Sequence, residues 1–214
     1  MSQLLDTIFV MLMLLNFITL GMSRLRVVIQ TVALQGVLLA LLQLAMHADL
    51  TFRVMLIVIG TLALKGFILP RMLFWALRDV SMRREIEPLV SLPASLILGA
   101  IGTAGALAFA DALPLAVGYG RGLLLVPASL ATVFTGFLML TTRLKALTQV
   151  LGYLILENGV FIFGLLLIEA MPFLVEIGVL LDLFVAIFVM GIVINNINRT
   201  FPTESTEHLT ALKD

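Results

Sequence analysis

Long apolar runs separated by short polar breaks fill most of this chain, at residues 4–22, 27–46, 52–69, 89–110, 122–140, 147–167 and 173–194. Each is close to the length that crosses a hydrocarbon layer of about 30 Å at about 1.5 Å per helical residue. The pattern predicts an all-α integral membrane protein of about seven transmembrane helices. The third run is the least regular. Arg53 and Lys65 lie inside it, and Pro70 marks a kink, with residues 72–77 expected to continue along the membrane interface around Trp75.

Composition agrees with the pattern. Hydrophobic residues make up 61% of the 214, charged residues only 12%, and the mean hydropathy is +1.17. A soluble domain carries about twice that share of charge, so lipid is the solvent for most of this surface. The net charge of zero is uninformative because the charges are segregated along the chain. Arg24 and Arg26 follow the first run, Arg71, Arg78, Arg83 and Arg84 the third, Arg143 and Lys145 the fifth, and Arg199 and Lys213 the seventh. The alternate breaks hold Arg121, with Arg53 just inside the third run. Basic residues collect in the cytoplasm, so the expected orientation is N-terminus out and C-terminus in. The expected location is the bacterial inner membrane, with multiple passes. The opening Met-Ser-Gln-Leu-Leu-Asp lacks the basic start and cleavage site of a secretory signal, so the first run is expected to remain in the mature protein.

Several chemistries are excluded. Cysteine is absent and the two histidines, His47 and His208, are far apart. Iron–sulfur ligation is ruled out and a metal site is poorly served. No cofactor is expected, nor any binding of nucleic acid. Any electron transfer would run through another subunit. The break at residues 71–88 and the polar tail at 200–214 are too short for a catalytic domain, so no catalytic activity is expected of the chain alone. Gly118-Tyr-Gly-Arg-Gly122 follows no strand and is expected to be a turn rather than a phosphate loop. In the fourth run, Gly102/Ala106 and Ala100/Ala104/Ala108 recur at four-residue spacing, a face that lets another helix approach closely.

Ionisable side chains inside the spans carry a cost of about 2.5–3.5 kcal/mol each on insertion scales, so function is sought among them. Glu157 stands about 15 Å into the sixth run by helical rise, too deep for a glutamate to reach water. Asn158 beside it adds a second polar group. Asp182 sits about 13 Å into the seventh run from the opposite face, which brings the two acids to nearly one level. They are expected to line a proton or cation path. Glu176 lies near a helix end and is the weaker candidate. Lys65 either snorkels past Leu69 and Pro70 toward the cytoplasm or serves as the positive partner of an intramembrane acid.

The stretch Leu151-Gly-Tyr-Leu-Ile-Leu-Glu-Asn-Gly-Val-Phe161 and the run Val175-Glu-Ile-Gly-Val-Leu-Leu-Asp182 resemble hydrogenase-4 component E, as does the run Gly191-Ile-Val-Ile-Asn-Asn-Ile-Asn-Arg199. That family supplies a membrane subunit of formate hydrogenlyase and related group 4 nickel–iron hydrogenase complexes. The likeness extends over essentially the whole chain, most specifically from Leu147 onward. The last three runs are also similar to the three-helix K subunit of respiratory complex I and the C subunit of Mrp-type antiporters. In those families a glycine is followed two residues later by a membrane glutamate and, four residues further, by an asparagine. Gly152 and Asn158 fill the outer positions here, Leu154 replaces the glutamate, and the acid returns at Glu157, about one turn away. Asp182 is the nearest counterpart of the second family glutamate.

The resemblance implies three regions: a four-helix part at 1–120, a K-subunit-like part at 121–199 and a cytoplasmic tail at 200–214. It implies a non-redox membrane-arm subunit, partnered by antiporter-like and other membrane subunits. Its role would be to help couple electron transfer to proton or sodium translocation through Glu157, Asp182, Lys65, Asn158 and Glu176. Two other readings stay open: a structural adaptor whose buried charges are pegs, and a stand-alone secondary transporter. The second is disfavoured because no internal repeat is evident.

Overall fold

The computed structural model describes residues 2–46, 52–79, 89–113, 124–165 and 191. All regular structure among them is helical: α1 (Ser2–Gly21), α2 (Leu25–Met46), α3 (Phe52–Thr61), a π-helical segment (Leu62–Ile68), α4 (Leu69–Asp79), α5 (Leu92–Ala112), α6 (Leu125–Thr142) and α7 (Ala146–Leu165). With α3, the π segment and α4 joined as one span, six helices are long and apolar enough to cross a membrane. The chain is therefore a multi-pass, all-α membrane protein. The expected seventh run, 173–194, and the tail lie outside the described residues.

The third span departs from the expected kink. Its helix does not leave the bundle at Pro70. It widens through the π segment, where the Leu69 N–H bonds to the Leu64 carbonyl five residues back, and then resumes as α4. Proline has no N–H and its ring crowds the preceding turn. One wide turn absorbs that conflict without a bend. Leu69, Leu73, Ala76 and Leu77 consequently pack inside the core, while Trp75 is exposed.

Tight packing also falls elsewhere than expected. The small residues of α5 split between two faces. Gly99 and Ala106 are buried, and Gly102 meets the ring of Phe134, but Ala100, Ala104 and Ala108 are exposed. The closest helix pair is α6 with α7. A Cβ added at Gly159 would lie 2.5 Å from the Val133 nitrogen, and one at Gly152 would lie 2.9 Å from the Leu140 nitrogen. Gly136 faces the Leu156 backbone in the same way. Without side chains at these three points the two backbones touch, which is how helices adhere in lipid.

The apolar core forms two lobes. One gathers Leu20, Leu25, Ile29, Leu73, Met139, Leu151 and their neighbours at the end where α1 meets α2 and α6 meets α7. The other gathers Phe9, Leu12, Leu39, Leu42, Val126 and Ile162 toward the opposite end. Between the lobes lies a layer of buried polar side chains.

Candidate functional site

Five helical segments feed this layer. Asn16 comes from α1, Gln35 from α2, Lys65 from the π segment, Thr132 from α6, and Glu157 and Asn158 from α7. Each is at most 5% exposed. On α2, α6 and α7 these residues stand seven to twelve positions from the helix ends, or roughly 10–18 Å by helical rise. That places them near mid-span.

Lys65 is the hub. Its Nζ lies 3.0 Å from Glu157 Oε1 and donates to Asn158 Oδ1 at 3.1 Å. The ammonium also sits 5.1 Å from the centroid of the Phe161 ring, within cation–π range. The structure thus selects the second alternative for this lysine: it pairs with an intramembrane acid and does not snorkel. Gly36 makes the approach possible. A Cβ there would fall 2.6 Å from Lys65 Cβ and 3.0 Å from the Lys65 carbonyl oxygen, so only glycine lets α2 press against the π turn.

Glu157 is matched in charge but poorly supplied with hydrogen bonds. Its Oε1 is in ion-pair contact with Lys65, yet neither carboxylate oxygen makes a hydrogen bond of good geometry among the described residues. Taking two charges out of water is costly, and the attraction between them repays this only when the remaining lone pairs are also satisfied. Glu157 therefore has unfilled acceptor capacity in the middle of the bundle. A cavity of about 10 Å³, room for one water, opens beside the pair between Lys65, Asn158, Pro70, Leu73, Leu154 and Val32.

Of the expected site residues, Glu157, Asn158 and Lys65 come together. Asp182 and Glu176 lie outside the described residues. Leu154, which stands where the family glutamate was expected, is 3% exposed, and Glu157 one turn on is 4% exposed. The displaced acid thus still faces inward. Asn16, Gln35 and Thr132 were missed because attention went to ionisable groups. A signal for two of them was present: each is an uncharged amide or hydroxyl inside an apolar run, and amides there are expensive unless paired. Among the described residues, no group of three or more His, Cys, Asp or Glu could hold a metal ion.

Arg143 behaves unlike the loop residue it was taken for. It is 1% exposed, and its Nη2 donates to the Leu20 carbonyl at 3.1 Å, at the C-terminal end of α1. A cation there complements the negative end of the helix dipole. Burial lowers the pKa of its guanidinium, which nevertheless remains charged at neutral pH.

Comparison with known proteins adds to this geometry. No family model matches the chain, and no solved structure does. Hydrogenase-4 component E of Escherichia coli K12 is 36% identical over 101 residues, and the same protein of Shigella flexneri matches equally. That match takes in 47% of this chain and 45% of the relative, so the likeness covers about half of each protein and not the whole length expected. The uncharacterized protein Rv0085 of Mycobacterium tuberculosis is 34% identical over 196 residues, 89% of this chain and 87% of the relative. With likeness along nearly all of both sequences, the chain belongs to the same family of multi-pass membrane proteins as Rv0085.

Proposed function

We propose that this chain is a non-redox membrane-arm subunit of a hydrogenase-like or complex I-like assembly, in which Glu157 and Lys65 take part in moving a proton or sodium ion. The observation that carries the reading is a buried ion pair at mid-span whose carboxylate has unfilled acceptor capacity beside a water-sized cavity. Ionisable groups in that position are costly and mark ion pathways. The partial likeness to hydrogenase-4 component E supports membrane subunits of such a complex as partners. Asp182 and Glu176 would extend the path on the seventh helix. Asn158 serves to orient, since an amide does not titrate.

A second reading is favoured by the 3.0 Å contact itself: the pair is a structural peg in an adaptor subunit. Removing both charges separates the two. Lys65→Met with Glu157→Met replaces the pair by apolar volume, which is often neutral for stability. As a carrier site, the double variant assembles in normal yield on a native gel but loses ion uptake in inverted vesicles energised with reduced methyl viologen. As a peg, it assembles and keeps uptake. Glu157→Met alone strands the lysine under either reading and costs about 3–5 kcal/mol, seen as lost assembly. Normal uptake in the double variant sinks the carrier reading.

Orientation is part of the proposal. A reporter active only in the periplasm should work when fused near Asp49, Asp111 or Glu169 and stay silent near Arg24, Arg84, Arg143 or Lys213. Activity from the Arg83–Arg84 segment would invert the topology and move the basic lobe to the outer face.

A further inference from the structure

We propose that Asn16, Gln35 and Asn158 form a one-way hydrogen-bonded strut that positions the Lys65 ammonium and passes no protons itself. The inference rests on the reading of Lys65 and Glu157 as the working pair, and deepens it. The argument starts from the two ends of the chain of contacts.

At one end, a lysine ammonium has only donors to offer, so Asn158 must present its carbonyl oxygen, which receives Lys65 Nζ at 3.1 Å. The amide nitrogen of Asn158 is thereby turned to Gln35, and donates to Oε1 at 3.4 Å. Gln35 Nε2 in turn donates to Asn16 Oδ1 at 2.9 Å, and Asn16 Nδ2 donates to Thr132 Oγ1 at 2.9 Å. At the far end, the Thr132 hydroxyl has already given its hydrogen to the Ala128 carbonyl, 2.7 Å away, so toward Asn16 it can only accept. Both ends therefore demand the same direction of donation. Flipping any one of the three amides would set oxygen against oxygen or nitrogen against nitrogen.

A chain with one direction has two consequences. Its dipoles align, so the oxygen that meets Lys65 is polarised by every bond behind it. It also stops. A proton relay needs members that take a proton on one side and release one on the other, whereas amides do not titrate and the hydroxyl hydrogen of Thr132 points away into backbone. Asn16, Gln35 and Asn158 are thus positioning residues. They hold a long, flexible cation on Glu157, on the wide turn that Gly36 admits.

The test uses the full chain, labelled with ¹⁵Nζ-lysine and reconstituted in lipid bilayers, read by solid-state NMR. There are three lysines, Lys65, Lys145 and Lys213, and the Lys65 resonance is identified by its loss in Lys65→Met. Gln35→Leu is expected to shift that resonance beyond its linewidth. Thr132→Val should shift it the same way but less, and Thr132→Ser should leave it in place. Adding Asn16→Leu to Gln35→Leu should change nothing more, because Asn16 acts through Gln35. An unmoved resonance in Gln35→Leu overturns the strut. If that variant fails to fold, identical resonances in Thr132→Val and Thr132→Ser overturn it instead. The insulating half is tested by ion uptake in inverted vesicles. Gln35→Leu should retain uptake, reduced no more than about tenfold, the worth of about one hydrogen bond, while Glu157→Gln loses it. Uptake as low in Gln35→Leu as in Glu157→Gln means that the chain conducts, and overturns the proposal. Normal uptake in Glu157→Gln defeats the working-pair reading and leaves the resonance result to decide the strut alone.

Discussion

Helices α5 and α7 are nearly equal in length, and α5 is the more apolar of the two. In the bundle their places are reversed: 61% of the α7 span is buried and only 17% of the α5 span. In water the more apolar helix would be the one drawn inward. In lipid that drive is absent, because hydrocarbon tails are as apolar as leucine. What draws α7 in is what α5 lacks. It carries Glu157 and Asn158, which must find partners, and Gly152 and Gly159, which let α6 touch its backbone. The small residues of α5 are as numerous, but Gly105 faces nothing within 4 Å, and only Gly99, Gly102 and Ala106 meet the bundle.

Three substitutions probe that contrast. The largest effect is expected at the α6–α7 contact. Gly159→Leu forces side-chain atoms into the Val133 backbone, and overpacking there should cost about 3 kcal/mol. The check is a clear fall in the thermal unfolding midpoint of the purified chain in detergent. Phe134→Ala is expected to be intermediate. The ring fills the notch over Gly102, but Phe134 is 38% exposed, so the loss should be about 1–2 kcal/mol, below that of a fully buried phenylalanine. Gly105→Leu should be smallest, within about 0.5 kcal/mol, since nothing stands near the added side chain. A midpoint as low for Gly105→Leu as for Gly159→Leu would erase the distinction between the two helices. Phe134→Ala with no effect would narrow it, by showing that α5 is held only through α1.

The reading of the spans succeeded because it depends on a single length. A helix must bury its backbone polar groups over about 30 Å, and runs of that length are visible without knowing any neighbour. The same cost singled out Glu157 and Lys65, because a charge in hydrocarbon is expensive wherever it points. The third span was misread at Pro70 because proline in isolation predicts a kink. The wide turn that accommodates it is stabilised by Leu73 and Leu77 against α2, contacts that no local signal contains. Arg143 was assigned to a loop because flanking position sets topology. Its insertion against the end of α1 depends on where α1 stops in space.

By itself, then, the sequence determined that the chain lives in a membrane, roughly where each described span lies, and which side chains are costly enough to need a reason. Those properties follow from composition over twenty residues and from burial energy, both of which are local. The tertiary structure decided which costs are shared. Lys65 and Glu157 are ninety-two positions apart in the chain, and Asn16 and Thr132 are farther still. Whether such groups meet depends on the rotation of each helix about its axis and on which helix stands beside it. Shape sets both: three glycines seat α6 on α7, and Gly36 admits the wide turn of the third span. A hydrogen-bonded layer can form only after those backbones have come within reach, because a hydrogen bond holds over about 3 Å while helix rotation and pairing are settled across the whole bundle.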